Sequence, residues 1–162
     1  MTRSRVIALV LAVLTCCALV GQATAAKKFK PKPGTYSGSY TGGPHGKGRV
    51  GLTVGKVYLP NGKMGQGVTL FAWSANKTCE DGSTKEGAVR MDVGRHGKTF
   101  SGTDTYTERQ GTIVGKGTLT GKFTSKSSLK GTAQVVTTGP TPADNCKTGK
   151  VSFKAKWVAS GT

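Results

Sequence analysis

One stretch of the chain, residues 112–136, alternates between two kinds of residue with a period of two. In its first half Ile113, Leu119, Phe123 and several glycines take the odd positions, whereas lysines and threonines take the even positions. This alternation is typical of a half-buried β-strand, with one face toward a core and the other toward water. The pattern returns twice more, the last time over residues 151–157. Three strands of one design therefore constrain the fold more than any other feature.

The remainder of the chain also reads as strands joined by short turns rich in glycine and proline. About eight or nine strands are expected, with no helical period outside the N-terminal apolar segment. Glycines at inward positions let large and small residues alternate, as a closed or strongly curved sheet requires. We therefore predict an all-β fold, an antiparallel meander that forms either a small barrel or a strongly rolled sandwich after an N-terminal signal helix.

The first 25 residues have the pattern of an export signal. Two arginines precede an apolar run over residues 6–20, and the small-x-small pattern of a cleavage site ends at Ala25. The run is shorter than the roughly 20 residues that span a bilayer, so we expect no membrane span after cleavage. The pattern predicts a secreted or envelope-associated protein and leaves open whether Cys16 or Cys17 carries a lipid.

Beyond the signal we expect a basic linker rich in lysine and proline over residues 26–33, followed by a single β domain over residues 34–162. The full chain has 24 lysines and arginines against 7 acidic residues, a formal net charge of +17. Such an excess favours contact with anionic surfaces or polymers.

Two cysteines follow the predicted signal, Cys79 and Cys146. An exported chain with two cysteines most simply joins them, because its compartment is oxidising. We therefore predict one disulfide.

The placement of turns and cysteines resembles that of small secreted β-rich, single-disulfide domains of uncharacterised function that are abundant in actinobacteria. The motifs that carry the resemblance are Gly34-x-Tyr36-x-Gly38, Cys79-x-x-Gly82, the run 97–102, the glycine-spaced hairpin 121–132, and Cys146-x-x-Gly149 before a last strand that ends near Trp157. The resemblance implies a shared fold with a bridge between Cys79 and Cys146. It brings no catalytic residues with it.

No constellation of residues predicts catalysis, a metal or a cofactor. The two histidines, His45 and His96, lie in glycine-rich turns without a metal-ligand spacing, and the few acids form no convincing catalytic pair. Residues 94–99 resemble the end of a phosphate-binding loop, but Asp92 replaces the first glycine and no helix follows, so a hairpin turn is expected. We predict a non-enzymatic protein.

The outward lysines of the three alternating strands are the candidate site: Lys116, Lys122, Lys130, Lys154 and Lys156. They either form a basic face for an anionic envelope polymer or glycan, or keep the sheet soluble and protect its edges. Nucleic acid is disfavoured, because Phe123, Phe153 and Trp157 fall on the inward parity. The sequence thus predicts an exported domain that binds an anionic ligand. The alternatives are a barrel for a small apolar ligand and a protease inhibitor that uses the loop 138–145.

Overall fold

A computed structural model describes residues 29–44, 46–59 and 61–160. The predicted export signal, with Cys16 and Cys17, and His45 lie outside the described residues. The described chain is almost entirely β-strand, with one 3-10 turn at Arg109–Gly111. It contains no helix that is long and apolar enough to cross a membrane.

The strands are longer than is usual and follow one another closely along the chain. In order they are β1 (Gly34–Thr41), β2 (Lys47–Tyr58), β3 (Met64–Cys79), β4 (Thr84–His96), β5 (Thr99–Glu108), β6 (Ile113–Ser125), β7 (Ser128–Thr138), β8 (Cys146–Lys147) and β9 (Val151–Ala159).

Eight of these strands form a closed antiparallel ring in the order β2-β1-β9-β7-β6-β5-β4-β3, and pairing between β2 and β3 closes it. The ring is a simple meander in which β9, the last strand, pairs with both β7 and β1, and only β8 lies outside it. The two-residue strand β8 pairs with both β3 and β7. The predicted all-β antiparallel fold is therefore confirmed.

Backbone pairing between β4 and β5 is confined to their shared turn. Arg95 lies opposite Phe100 and His96 opposite Thr99, which confirms the predicted hairpin over residues 94–99. Farther along, the Asp104 carboxylate accepts a hydrogen bond from the Asp92 backbone N–H at 2.9 Å. A side chain thus satisfies a backbone donor where the two strands have separated.

The interior is filled by large side chains that face glycines across the ring. A Cβ at Gly117 would lie 2.2 Å from the Met91 sulfur, and one at Gly121 would lie 2.2 Å from the Phe100 ring. Both partner side chains are buried, as are the inward residues of β6 and β7. The large side chain therefore fills the space that a side chain at each of these two glycines would occupy. This arrangement gives close packing with few large apolar residues.

Residues 29–33, part of the predicted basic linker, lie against the end of the ring that holds the β6–β7 turn. The Lys32 backbone N–H donates to the Lys126 carbonyl oxygen at 2.8 Å. The Trp157 indole N–H donates to the Pro33 carbonyl oxygen at 3.0 Å. This segment therefore covers one end of the core.

The other end carries the disulfide. Cys79, the last residue of β3, lies directly opposite Cys146, the first residue of β8, and their sulfurs are 2.06 Å apart. The predicted bridge is confirmed. It closes a chain segment with a sequence separation of 67, for which loss of unfolded-state entropy corresponds to a stabilisation of about 4 kcal/mol.

Candidate anion-binding face

Three lysines lie directly opposite one another on adjacent strands. Lys122 of β6 pairs in register with Lys130 of β7, which pairs with Lys154 of β9. All three side chains are exposed on the outer face of the ring. We call these three residues the lysine row.

The lysine row is the centre of a longer polar band. Beyond Lys154 the same register continues to Ser39 of β1 and Arg49 of β2. Beyond Lys122 it continues to Thr99 of β5 and His96 of β4. The band therefore crosses seven strands, with basic residues at its centre and at both ends.

A second row, parallel to the first, consists of hydroxyl side chains. Each of its members lies two residues along its strand from the lysine row and its register partners, a distance of about 6.7 Å. The Thr120 and Thr132 hydroxyl oxygens are 3.0 Å apart. Strand register defines the members of this hydroxyl row: Ser101, Thr120, Thr132, Ser152 and Thr41.

A groove of about 620 Å³ separates the two rows. The lysine row lines one wall, and Gly121, Gly131 and Phe153 lie between the two walls. Four members of the hydroxyl row line the other wall: Thr41, Thr120, Thr132 and Ser152. Gly121 and Gly131 are opposite each other, and a Cβ at Gly131 would lie 2.2 Å from the Thr120 carbonyl oxygen. The close approach of β6 and β7 at this point thus requires glycine at position 131.

Lys156 lies beside a second groove, on the other side of the lysine row. This groove has a volume of about 640 Å³ and shares Ser39, Lys130 and Lys154 with the first. Lys156 lies opposite Ser128 on β7 and Ser37 on β1. Lys156 therefore adds a cation next to the lysine row but outside it.

Lys116 does not belong to this cluster. It lies six residues before Lys122 on β6, which corresponds to about 20 Å along the strand. Its partners in register are Thr105 and Val136. Of the five lysines selected from the sequence, the structure thus brings four together and separates the fifth.

The lysine row has no acidic neighbour on its own strands. None of the acidic residues of the chain lies on β1, β2, β6, β7 or β9. The three ion pairs among the described residues join Lys77 to Glu108, Lys85 to Asp144 and Arg90 to Asp92, at 3.7, 3.3 and 3.2 Å. The positive charge of the lysine row is therefore uncompensated within the described chain, and its field extends into solvent.

Acidic side chains on the other strands have structural partners. The carboxylate of Asp92 pairs with Arg90 and accepts a hydrogen bond from the Thr69 hydroxyl. Hydrogen bonds from the side chain and backbone of Ser83 lower the pKa of the Asp81 carboxyl. Within the described residues, no group of three or more His, Cys, Asp or Glu side chains could hold a metal ion.

Tyr106 of β5 is the most perturbed titratable group. Burial, with a smaller contribution from the charge of Glu108, raises its pKa to about 12. Its hydroxyl is buried and has no hydrogen-bond partner in the described chain. Both effects favour the neutral phenol.

Sequence analysis missed the residues that complete the polar band and the groove. Arg49, Ser39 and Thr132 are ordinary members of alternating strands, and their alternation shows only which face they occupy. Their alignment with the lysines depends on the register between strands, including the pairing of β9 with both β7 and β1. Only the local pairing of Lys122 with Lys130 could be inferred, because a short hairpin joins their strands.

Comparison with known proteins finds no matching family model, no similar curated protein and no similar solved structure. The functional argument therefore depends on the geometry and charge of the chain itself.

Proposed function

We propose that this protein is an exported, non-enzymatic β domain that binds an anionic polymer of the cell envelope or the extracellular space through its lysine row. The observation that carries the proposal is the alignment of Lys122, Lys130 and Lys154 on three adjacent strands. The N-terminal export pattern supports a location at the cell envelope or in the extracellular space.

The alignment of the lysines is unfavourable for the isolated protein. Like charges directly opposite each other in a sheet destabilise it by about 0.2–1 kcal/mol per pair. Solubility requires charge on the surface but does not require three equal charges in one register. A bound polyanion would reverse the sign of this interaction, since its own charges would lie between the ammonium groups.

The shape of the surface also supports this function. Grooves lie on both sides of the lysine row and share two of its lysines, so a chain-like ligand has a bounded place to lie. The interior, in contrast, is occupied by side chains such as Met91 and Phe100 that fill the space beside inward glycines. The contacts therefore favour a ligand on the outer surface over a small apolar ligand in the barrel.

The test is co-sedimentation of the purified protein with envelope preparations, together with titration against soluble polygalacturonate and polyphosphate over a salt series. We expect binding at low salt that weakens steeply as salt rises. Replacing all three residues of the lysine row with glutamine should lower affinity at least tenfold and reduce the slope of log affinity against log salt by about 2.

A matched control separates the lysine row from net charge. Replacing the exposed residues Lys56, Lys63 and Lys147 with glutamine removes the same charge from other places on the surface. The proposal predicts that this variant keeps most of the affinity. Equal losses in the two triple variants, or no binding to any polyanion at low salt, would contradict it.

A further inference from the structure

We infer that the ligand of the lysine row is a linear acidic glycan, which lies in the groove across the strands with carboxylates toward the lysines and hydroxyls toward the hydroxyl row. This inference rests on the proposed function and specifies the class of polymer. It follows from the unequal chemistry of the two walls of the groove.

The two walls differ in what they can bind. Lys122, Lys130 and Lys154 form one wall, and they supply only cationic donors. Thr41, Thr120, Thr132 and Ser152 form the other, and their hydroxyls both donate and accept hydrogen bonds. A ligand that satisfies both walls carries anions along one edge and neutral hydroxyls along the other. A chain of uronic acids has this division, with ring carboxylates and ring hydroxyls.

The spacing of the lysine row also suits a glycan. Adjacent strands lie about 4.8 Å apart, and one pyranose residue advances a glycan chain by a similar distance. A glycan perpendicular to the strands can therefore present a carboxylate to each lysine, or to Lys122 and Lys154 if only alternate sugars face the wall. The long lysine side chain accommodates the remaining difference.

A polyphosphate or nucleic acid chain fits the groove less well. Such a chain carries its charge along its backbone, so the hydroxyl row would lose contact with water and gain few neutral partners. Single-strand nucleic-acid sites also use aromatic rings as stacking platforms. The nearest rings, Phe123 and Phe153, are buried on the inner face.

The length of the groove limits the part of the polymer that it contacts. From Ser39 on β1 to Thr99 on β5 the groove crosses four inter-strand steps. At about 4.8 Å each these amount to about 19 Å, or about four sugar residues. Affinity should therefore rise with chain length up to about the tetramer and change little beyond it.

The experiment is calorimetric titration of the protein with oligogalacturonates from dimer to octamer, and with polyphosphate as a charged comparator. Replacing Thr120 and Thr132 with valine preserves every charge and removes two hydroxyls from the wall. We expect this variant to lose about tenfold in oligogalacturonate affinity and almost nothing in polyphosphate affinity. The matched control replaces Thr103 and Thr118, an exposed pair opposite each other on β5 and β6, and should bind as the unmodified protein does.

The outcomes separate this inference from the proposed function. If the Thr120 and Thr132 variant loses affinity for both polymers equally, or for neither, the glycan assignment is wrong, although loss of binding in the lysine-row variant would still support an anionic ligand. If the lysine-row variant binds normally, both proposals fail. The length series tests the same assignment on the unmodified protein, and a continuous rise in affinity to the octamer would overturn the groove as the contact.

Discussion

Two sides of the ring differ in how their charged side chains are arranged. On β6, β7, β9 and β1 the outer surface carries aligned lysines and hydroxyls and no acidic residue. On β3, β4 and β5, together with the turn between β3 and β4, β8 and the loop before β8, lie all of the acidic residues, the three ion pairs and the disulfide. We call these the basic side and the bridged side.

The contrast teaches that stabilising contacts and the proposed binding groups are separated in this small domain. On the bridged side, charges are paired and crosslinked, as where Asp144 accepts hydrogen bonds from Lys85 and from the Thr141 hydroxyl. On the basic side, the aligned lysines repel one another and have no acidic neighbour on their own strands. Changes on the bridged side should therefore alter stability without altering affinity, and changes on the basic side should do the reverse.

The largest effect should come from the disulfide. Replacing Cys79 and Cys146 with serine removes the constraint on the unfolded chain, so the free energy of unfolding should fall by about 4 kcal/mol in urea denaturation. Affinity for polygalacturonate, measured where the variant is still folded, should stay within about twofold, since the bridge lies at the opposite end of the ring from the lysine row. A folded variant with lost affinity would break the proposed separation of the two sides.

The alternation of residues predicted much of the fold. Because the period of two fixes which side chains face inward, the sequence identified buried Ile113, Leu119 and Phe123 and the exposed lysines between them. It also indicated that inward glycines would offset large residues. It could not show that Gly117 faces Met91, because that contact joins strands distant in sequence.

The candidate site was less accessible to sequence analysis than the fold. The alternation of residues placed five lysines on the outer face. It does not show which residues lie opposite each other when two strands are distant in sequence. Lys116 and Lys122 share parity on β6 yet only Lys122 lies in the row. Lys154 joins the row because β9 pairs with β7, a long-range contact whose register depends on packing of the whole ring.

A smaller effect should come from Tyr106 on the bridged side. Its buried hydroxyl has no hydrogen-bond partner within the described chain, so replacement with phenylalanine should raise the free energy of unfolding by about 1 kcal/mol at neutral pH. Urea denaturation checks this value. The matched control is Tyr58→Phe, because Tyr58 is 67% exposed and should show no change.

The same variant makes a prediction about pH. The pKa of Tyr106 is about 12 in the folded protein, whereas the ordinary tyrosine value of 10.0 applies to the unfolded chain. The unfolded chain therefore releases this proton at lower pH than the folded protein does. Stability from the neutral phenol is complete below pH 10.0 and is lost as pH rises toward about 12. Tyr106→Phe should lose less stability over that interval than the unmodified protein. Parallel losses in the two proteins would show that the hydroxyl does not couple to folding.

The smallest effect on stability should come from the basic side, and its sign should be opposite to that of the disulfide. Lys130 lies between Lys122 and Lys154, so Lys130→Gln removes two like-charge pairs at once. The free energy of unfolding at low salt should rise by about 0.5 kcal/mol. Polygalacturonate affinity should fall at the same time, since the central cation of the row is lost.

Salt and a matched lysine make this last prediction specific. The gain for Lys130→Gln should shrink as the screening length falls from about 30 Å at about 0.01 M to about 3 Å at about 1 M salt. Lys56→Gln, at an exposed position opposite Gln66, should change neither quantity by a comparable amount. If Lys130→Gln instead lowers stability at low salt, the aligned lysines do not repel, and the alignment no longer argues for a ligand. If stability rises and affinity falls together, the protein retains an unfavourable arrangement of charge because the bound state requires it.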